Sequence, residues 1–266
     1  MKTDLYYYTG TGNSLWAART LAGKLGETEI IPMTRPIDSV SGTHSDATGF
    51  IFPVHIWGLP RRVIEFVHSL TVDSSKYYFA LAVNAGQVAA TLIQLQKLMH
   101  ARGLLLSAGF DIVMPSNYLP WGGPGPVEKR MARIGEARKK IGHIADIVLK
   151  KQKKAMERGP LWQNVIFSVI YSLSFDHVPK MDKSFWTDEK CNSCNVCVKV
   201  CPCNNIQMVG GKPSWLNHCE QCLACIQWCP QEALPFGKRT SRFDRYHHPE
   251  VNLHDLISPG LKKPNI

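Results

Sequence analysis

Asp4-Leu5-Tyr6-Tyr7-Tyr8-Thr9-Gly10-Thr11-Gly12-Asn13-Ser14 is the stretch on which the fold turns. Strand-forming aromatic and aliphatic residues run directly into a loop of small and hydroxylated ones, and an amphipathic segment, Ser14 to Leu25, follows at once. A strand, a tight turn and a helix in direct succession open an alternating α/β unit. There, Thr9, Gly10, Thr11, Gly12, Asn13 and Ser14 would surround a phosphate with hydroxyls and helix N-terminal amides, without any Lys or Arg. The loop has no Gly-Lys-Ser/Thr, which disfavours nucleotide hydrolysis. It is also a poor dinucleotide fingerprint: Leu15 replaces the third glycine, and Ile31-Pro32-Met33 closes the second strand without an acidic residue. A ligand with a single terminal phosphate, FMN rather than NAD or FAD, suits it best.

Further strands are read at Thr28 to Ile31, Thr48 to Pro53, Lys76 to Val83 and Leu104 to Met114, with helices running to about Leu70 and from about Gln87 to Arg102. Val127, Met131, Ile134, Ile141, Ile144 or Ala145 and Val148 recur at helical spacing and predict a long last helix, ended by Gly159-Pro160. The expected fold over residues 1–158 is therefore α/β: a doubly wound parallel sheet of five strands in the flavodoxin-like order 2-1-3-4-5. Such sheets bind ligands beyond the carboxyl ends of their strands. Pro53, Val54, His55, Ile56, Trp57 and Gly58 fall there, offering an indole to stack on a flavin and a glycine free to reorient its peptide. Asn84, Ala85 and Gly86 offer amides to its other side, and Asn117 and Tyr118 follow the fifth strand. His55 is expected to be a hydrogen-bonding histidine rather than a proton donor to flavin.

Residues 159–182 form a connector whose apolar residues should pack against the neighbouring units. Residues 183–240 hold all nine cysteines, and the 44 residues from 191 to 234 are too few to build a core from side chains alone. Cys191-x-x-Cys194-x-x-Cys197-x-x-x-Cys201-Pro202 recurs 28 positions later as Cys219-x-x-Cys222-x-x-Cys225-x-x-x-Cys229-Pro230, with the hairpin signal Gly210-Gly211 between the copies. Three cysteines at steps of three surround one cubane while the fourth, before proline, reaches the neighbouring one. One [4Fe-4S] cluster takes Cys191, Cys194, Cys197 and Cys229; the other takes Cys219, Cys222, Cys225 and Cys201. A pair of zinc sites would leave the third cysteine of each copy and both Cys-Pro pairs unexplained. Cys203, outside the repeat, reads as a small buried thiol. With every ligand a cysteine no iron is open to substrate, so the expected chemistry is one-electron transfer.

The net charge is +10, yet eleven Lys/Arg against four Asp/Glu between Val127 and Arg158 account for an excess of seven on one segment. Clusters and a flavin phosphate would lower the total to about +4. A solvated helix face or an acidic redox partner explains that run better than nucleic acid. No signal segment precedes the first strand and no apolar run is long enough to span a bilayer, so a cytoplasmic protein is expected.

Together the loop Thr9 to Ser14, the segment Pro53 to Pro60, Met114-Pro-Ser-Asn-Tyr118, the doubled cysteine motif and the tail Arg245-Tyr246-His247-His248-Pro249 resemble the flavodoxin-ferredoxin fusion proteins of anaerobic bacteria and archaea. The resemblance covers nearly the whole chain and implies FMN, two [4Fe-4S] clusters, and electron transport between a ferredoxin or oxidoreductase and a redox partner. Asn84-Ala85-Gly86 departs from the Tyr-Gly-Gly type of turn expected there. The tail, 241–266, should pack back on the body, with His247 and His248 tying it down. Rival functions are a flavin-dependent reductase of a small molecule fed by the clusters, and an empty flavodoxin-like scaffold that only docks the ferredoxin unit. The oligomeric state stays open, a homodimer included.

Overall fold

Runs such as Phe50-Ile51-Phe52 and Tyr77 to Val83 have no polar alternation, so they need cover on both faces, which a parallel sheet between two helix layers provides. The computed structural model, which describes residues 1–34 and 45–258, has that arrangement. Its first part runs β1 (Thr3–Tyr7), α1 (Asn13–Leu25), β2 (Thr28–Pro32), β3 (Ala47–Pro53), α2 (Arg61–Ser69), β4 (Tyr77–Asn84), α3 (Thr91–Ala101), β5 (Leu106–Val113) and α4 (Val127–Leu149). The strands are all parallel, in the order β2-β1-β3-β4-β5. This is the expected flavodoxin-like topology.

Because side chains alternate across a strand, successive residues feed two cores. Leu5, Ile51, Phe79, Leu81 and Phe110 pack with Leu21 of α1 and Ile141 of α4 on one face. Tyr6, Phe50, Phe52, Tyr78 and Ala80 pack with Phe66 of α2 and Leu95 of α3 on the other.

After α4 the structure departs from expectation. The helix stops at Leu149, short of Gly159-Pro160, and Lys151 takes a left-handed φ of 46°. The chain then runs along β5: Lys154 N donates to Ser107 O at 2.9 Å and Glu157 N to Gly109 O at 3.0 Å. An edge strand leaves a row of unpaired backbone groups, and this segment covers it. Met156 fills the space left by Gly109, where an added Cβ would lie 2.6 Å from its sulfur. The connector holds a helix, α5 (Leu161–Ser174), with no buried residue. Its apolar side chains were expected to pack inward; most point outward.

The cysteine-rich part comprises α6 (Val196–Lys199), β6 (Ile206–Val209), β7 (Lys212–Trp215) and α7 (Ala224–Gln227). β6 and β7 form a hairpin closed by Gly210 and Gly211, both at positive φ (56° and 78°), the type I′ geometry that favours glycine. A small core of Leu119, Phe185, Ile206, Leu223, Ile226 and Leu234 lies beneath it. The tail ends in α8 (Leu253–Ile257), whose N-terminus is closed by a reciprocal Asn252–Asp255 capping box. No helix among the described residues is long and apolar enough to cross a membrane.

The central sheet offers a direct test. A Cβ at Gly49 would lie 2.5 Å from the Phe79 ring and 2.7 Å from Leu5. Gly49→Val should therefore destabilise the protein by about 3 kcal/mol, the upper end of overpacking costs. The urea midpoint should fall at an unchanged slope.

Candidate functional site

The loops from β1, β3, β4 and β5 meet at the carboxyl edge of the sheet. Gly12 caps α1 with φ 94°, and its amide donates to Thr9 Oγ1 at 3.1 Å. Among the described residues no other amide from Gly10 to Leu15 finds an acceptor, although Thr11, Asn13 and Ser14 are buried. Buried amides at a helix N-terminus without protein partners suit an anion. The loop carbonyls are occupied from elsewhere: Gly10 O accepts from Trp228 Nε1 and Thr11 O from His248 N, both at 2.9 Å. Asn117 Nδ2 donates to Thr11 Oγ1 at 3.1 Å, and Asn13 Nδ2 to Pro115 O at 3.2 Å, so the β5 loop is tied to this cradle.

Pro53 to Gly58 fold into a tight hairpin. His55 N donates to Gly58 O at 3.1 Å and Gly58 N to His55 O at 2.9 Å. Ile56 (φ 47°) and Trp57 (φ 59°) occupy the left-handed corner, a strained position for a β-branched residue. Gly58 is not free to reorient: both its backbone groups are bonded, and an added Cβ would lie 2.3 Å from the Tyr171 ring. Trp57 stacks on Phe167 of α5 at 4.3 Å and 7°, meets Trp121 at 5.3 Å, and donates to Gln87 Oε1 at 2.7 Å. Val54 N bonds Val83 O at 2.8 Å, placing this loop beside the end of β4. There Asn84 Oδ1 accepts from Gly86 N at 2.7 Å while its amide group donates to Asp111; Ala85 and Gly86 stay exposed. Tyr118 stands edge-on to Trp121 at 5.1 Å.

His55 was expected to be hydrogen-bonded through its side chain; its Nδ1 instead has no such partner among the described residues. Burial pushes its pKa down to about 4. Glu220, also buried, is pushed up to about 7. Their 3.7 Å contact has ion-pair spacing, yet a neutral imidazole makes it a polar contact rather than a salt bridge at neutral pH. Glu220 accepts its strong bond from Arg62 N at 2.5 Å.

The cysteines line two separate cavities of about 310 Å³ each. Cys191, Cys194, Cys197 and Cys229 line the first, with Met208 and Leu234. Cys201, Cys219, Cys222 and Cys225 line the second, joined by Cys203 and Glu220. Cys203, expected to be an isolated buried thiol, thus lies among the second set. The 28-residue repeat is also visible in the backbone: left-handed φ occurs at Ser193 and Gln221, at Asn195 and Leu223, and at Asn204 and Glu232. Alternation of this kind turns amides inward toward anions. Asn205 N points at Cys201 Sγ at 3.2 Å, and Ala233 N, its repeat counterpart, at Cys229 Sγ at 3.4 Å. Among the described residues no three His, Cys, Asp or Glu side chains converge on a point where a single metal ion would be held. Thiols that line a cavity without converging on one point suit a cubane better than a mononuclear zinc ion. Burial pushes the Cys197 thiol up to about 11 and Cys219 to about 12, and Cys225 well above the usual thiol value. Metal would have to displace those protons.

The second cysteine copy packs on the cradle itself. An added Cβ at Gly10 would lie 2.6 Å from Cys222 O, and one at Gly12 would lie 2.9 Å from Val251 in the tail. Gln227 Nε2 donates to Asn117 O, while Gln227 Oε1 accepts from Tyr246 N, each at 2.7 Å; Tyr246 Oη in turn donates to Asn13 Oδ1 at 2.8 Å. His247 stacks on Trp228 at 4.2 Å and His248 on Trp16 at 4.7 Å. These tail contacts match the expected tying role. Gln227 and Trp228 were not read as site residues, although a signal existed: at the equivalent positions the first copy has Lys199 and Val200.

Residues 185–239 match the family model of the 4Fe-4S dicluster domain. Solved structures similar to the chain include the two-electron reduced flavodoxin of Megasphaera elsdenii, 17% identical over 52% of this chain and 98% of that one, with a TM-score of 0.37. Another is a flavodoxin of Streptococcus pneumonia TIGR4, 14% identical over 54% and 99%, TM-score 0.37. A third is rubredoxin oxygen:oxidoreductase from the anaerobe Desulfovibrio gigas, 14% identical over 56% of this chain and 36% of that one, TM-score 0.38. No curated protein matches. At such TM-scores these likenesses are weak, and the strand order carries the fold. The class is thus defined: an electron-transfer iron-sulfur protein in which a flavodoxin-like sheet is joined to a 4Fe-4S dicluster domain. A flavodoxin-like sheet followed by a dicluster domain is consistent with a flavodoxin-ferredoxin fusion.

His248, fully buried, has its pKa pushed down by burial to about 4 from an ordinary 6.5. A histidine depressed in the folded state binds its proton first in the unfolded chain, so stability is complete above pH 6.5 and is lost as pH falls toward 4. His248→Phe keeps a ring against Trp16 but does not titrate. Between pH 6.5 and 5.5 the wild type should lose about 1 kcal/mol more than the variant, measured by urea unfolding at each pH.

Proposed function

We propose that the chain is an electron carrier that holds FMN in the ring of loops and two [4Fe-4S] clusters in the two thiol-lined cavities, linking one-electron carriers to a redox partner. The observation that carries this is the direct seat of the second cysteine copy on the phosphate-type cradle, through Cys222 and Trp228 against Gly10. When bound, the clusters supply single-electron storage and the flavin supplies storage of one or two electrons. The protein's own contribution is placement. Cys194 is exposed, which puts the first thiol set within reach of an external carrier. Cys222, Ala224 and Trp228 pack the second copy against the core of the sheet domain. The free amides of residues 10 to 15 would hold the phosphate, and Asn117 would fix Thr11 beside it. Trp57, Tyr118 and Trp121 supply the aromatic wall.

A second function, reduction of a small molecule, is favoured by one feature. A small cleft lined by His55, Arg61, Tyr171, Cys219 and Glu220 lies between the Trp57 hairpin and the second thiol set, where polar and ionisable groups meet the thiols.

Protein purified without oxygen should contain iron and sulfide for two cubanes and one FMN per chain. Cys194→Ser and Cys222→Ser should each roughly halve the iron. With dithionite-reduced ferredoxin as the donor, both variants should slow flavin bleaching by more than about tenfold, because each removes one step of the route. Zinc in place of iron, or no bound flavin after incubation with FMN, would refute the proposal. Saturable turnover of a small compound without any exchange with ferredoxin would replace it with the reductase.

A further inference from the structure

α5 has the opposite polarity from a surface helix. Gln163, Asn164, Phe167, Ser168 and Tyr171 face the body: Asn164 Nδ2 donates to Gly159 O at 2.9 Å and Tyr171 Oη to Leu59 O at 2.8 Å. Leu161, Trp162, Val165, Ile166, Val169, Ile170 and Leu173 face away, with Leu161 77% and Leu173 71% exposed. They are seven of the sixteen large apolar residues exposed among the described residues. Together they present roughly 800 Å² of apolar surface, more than the about 300–600 Å² of the largest patch on a typical monomer.

We propose that this face packs against the same face of a second copy of the chain. Three observations select that occupant. The exposed apolar area is close to the about 800 Å² that each partner contributes to a stable interface. No Asp, Glu, Lys, Arg or His occurs from Leu161 to Phe175, in a chain of net charge +10. A two-fold contact brings identical residues together, so a charge-free patch is what a basic chain needs in order to meet itself. A helix lying on an anionic membrane carries Lys and Arg on its polar face, and an acidic protein partner calls for cations; α5 supplies neither. Trp162, Ile166, Val169 and Leu173 are spaced four, three and four apart, the seam by which one helix packs along another.

The contact also bears on the loops. Trp162 meets Phe167 at 6.1 Å, Phe167 stacks on Trp57, and Trp57 meets the exposed Trp121. A dimer through α5 therefore sets the hairpin of each chain close to the interface.

The test is sedimentation equilibrium of the full chain, purified anaerobically with its iron and flavin measured. The wild type should have about twice its 29.8 kDa chain mass at tens of micromolar. Ile166→Glu and Val169→Lys, each keeping wild-type iron content, should weaken association at least tenfold, and mixing the two variants should restore it. A monomeric wild type, or variants that keep the dimer mass, would overturn the proposal. A monomer that instead co-sediments with vesicles of phosphatidylglycerol and phosphatidylcholine would assign the face to lipid.

Discussion

The absence of a side chain at Gly10 lets the second cysteine copy lie on the first loop of the sheet. Residues more than two hundred positions apart meet there: Trp228 Nε1 takes the Gly10 carbonyl while Cys222 lies across its Cα. His248 N takes the next carbonyl, Thr11 O. The cysteine unit and the tail consume the loop's acceptors, whereas most of its amides keep no protein partner. A loop stripped of free carbonyls at the positive end of α1 is a stronger anion site than the helix end alone.

That contact binds together parts that would be weak separately. The cysteine unit has a small apolar core, and several of its thiols are held protonated by burial until metal replaces the protons. Its position does not depend on that core alone. Gln227 bridges the Asn117 loop and Tyr246, and Tyr246 continues to Asn13. At the far end of the tail, Arg19 reaches the buried Asp255 carboxylate at 2.8 Å, within the capping box that starts α8. Arg19 is half-exposed, so solvent screens the pair, and it ties the tail to α1 together with the capping box.

Most of this order was legible in the residues. The strand order followed from apolar runs and intervening helical spacing, and the two cavities are lined by the thiol sets that the interleaved Cys-Pro pattern implies. Three things were hidden, each for a physical reason. Residues 150 to 159 read as the end of a helix because periodicity does not reveal that β5 needs a partner at its edge. α5 read as an inward-packing connector because an uninterrupted apolar run does not say which face the body leaves open. Glu220 drew no attention and Cys203 read only as a small buried thiol because neither belongs to a spacing rule; the folded chain brings both to the second cavity. Gly58 shows the reverse error, a residue type taken for mobility where the close approach of Tyr171 requires it.

The two copies of the cysteine motif share a backbone and differ in surroundings, and that difference gives the unit a direction. Matching left-handed residues at a constant offset of 28 mean that each copy turns amides toward its thiols in the same way. Asn192 in the first copy corresponds to Glu220 in the second, and Lys199-Val200 to Gln227-Trp228. In the first copy Lys199 is exposed, Val200 is buried against the sheet core and Cys194 is exposed. The second has instead an amide and an indole that bond to the sheet domain, and a carboxyl whose burial pushes its pKa up to about 7. Potentials of iron-sulfur centres respond to burial, nearby charge and hydrogen bonds to sulfur. Two thiol sets with the same backbone thus differ in what surrounds them, and the second is the one in contact with the loop, through Cys222 and Trp228.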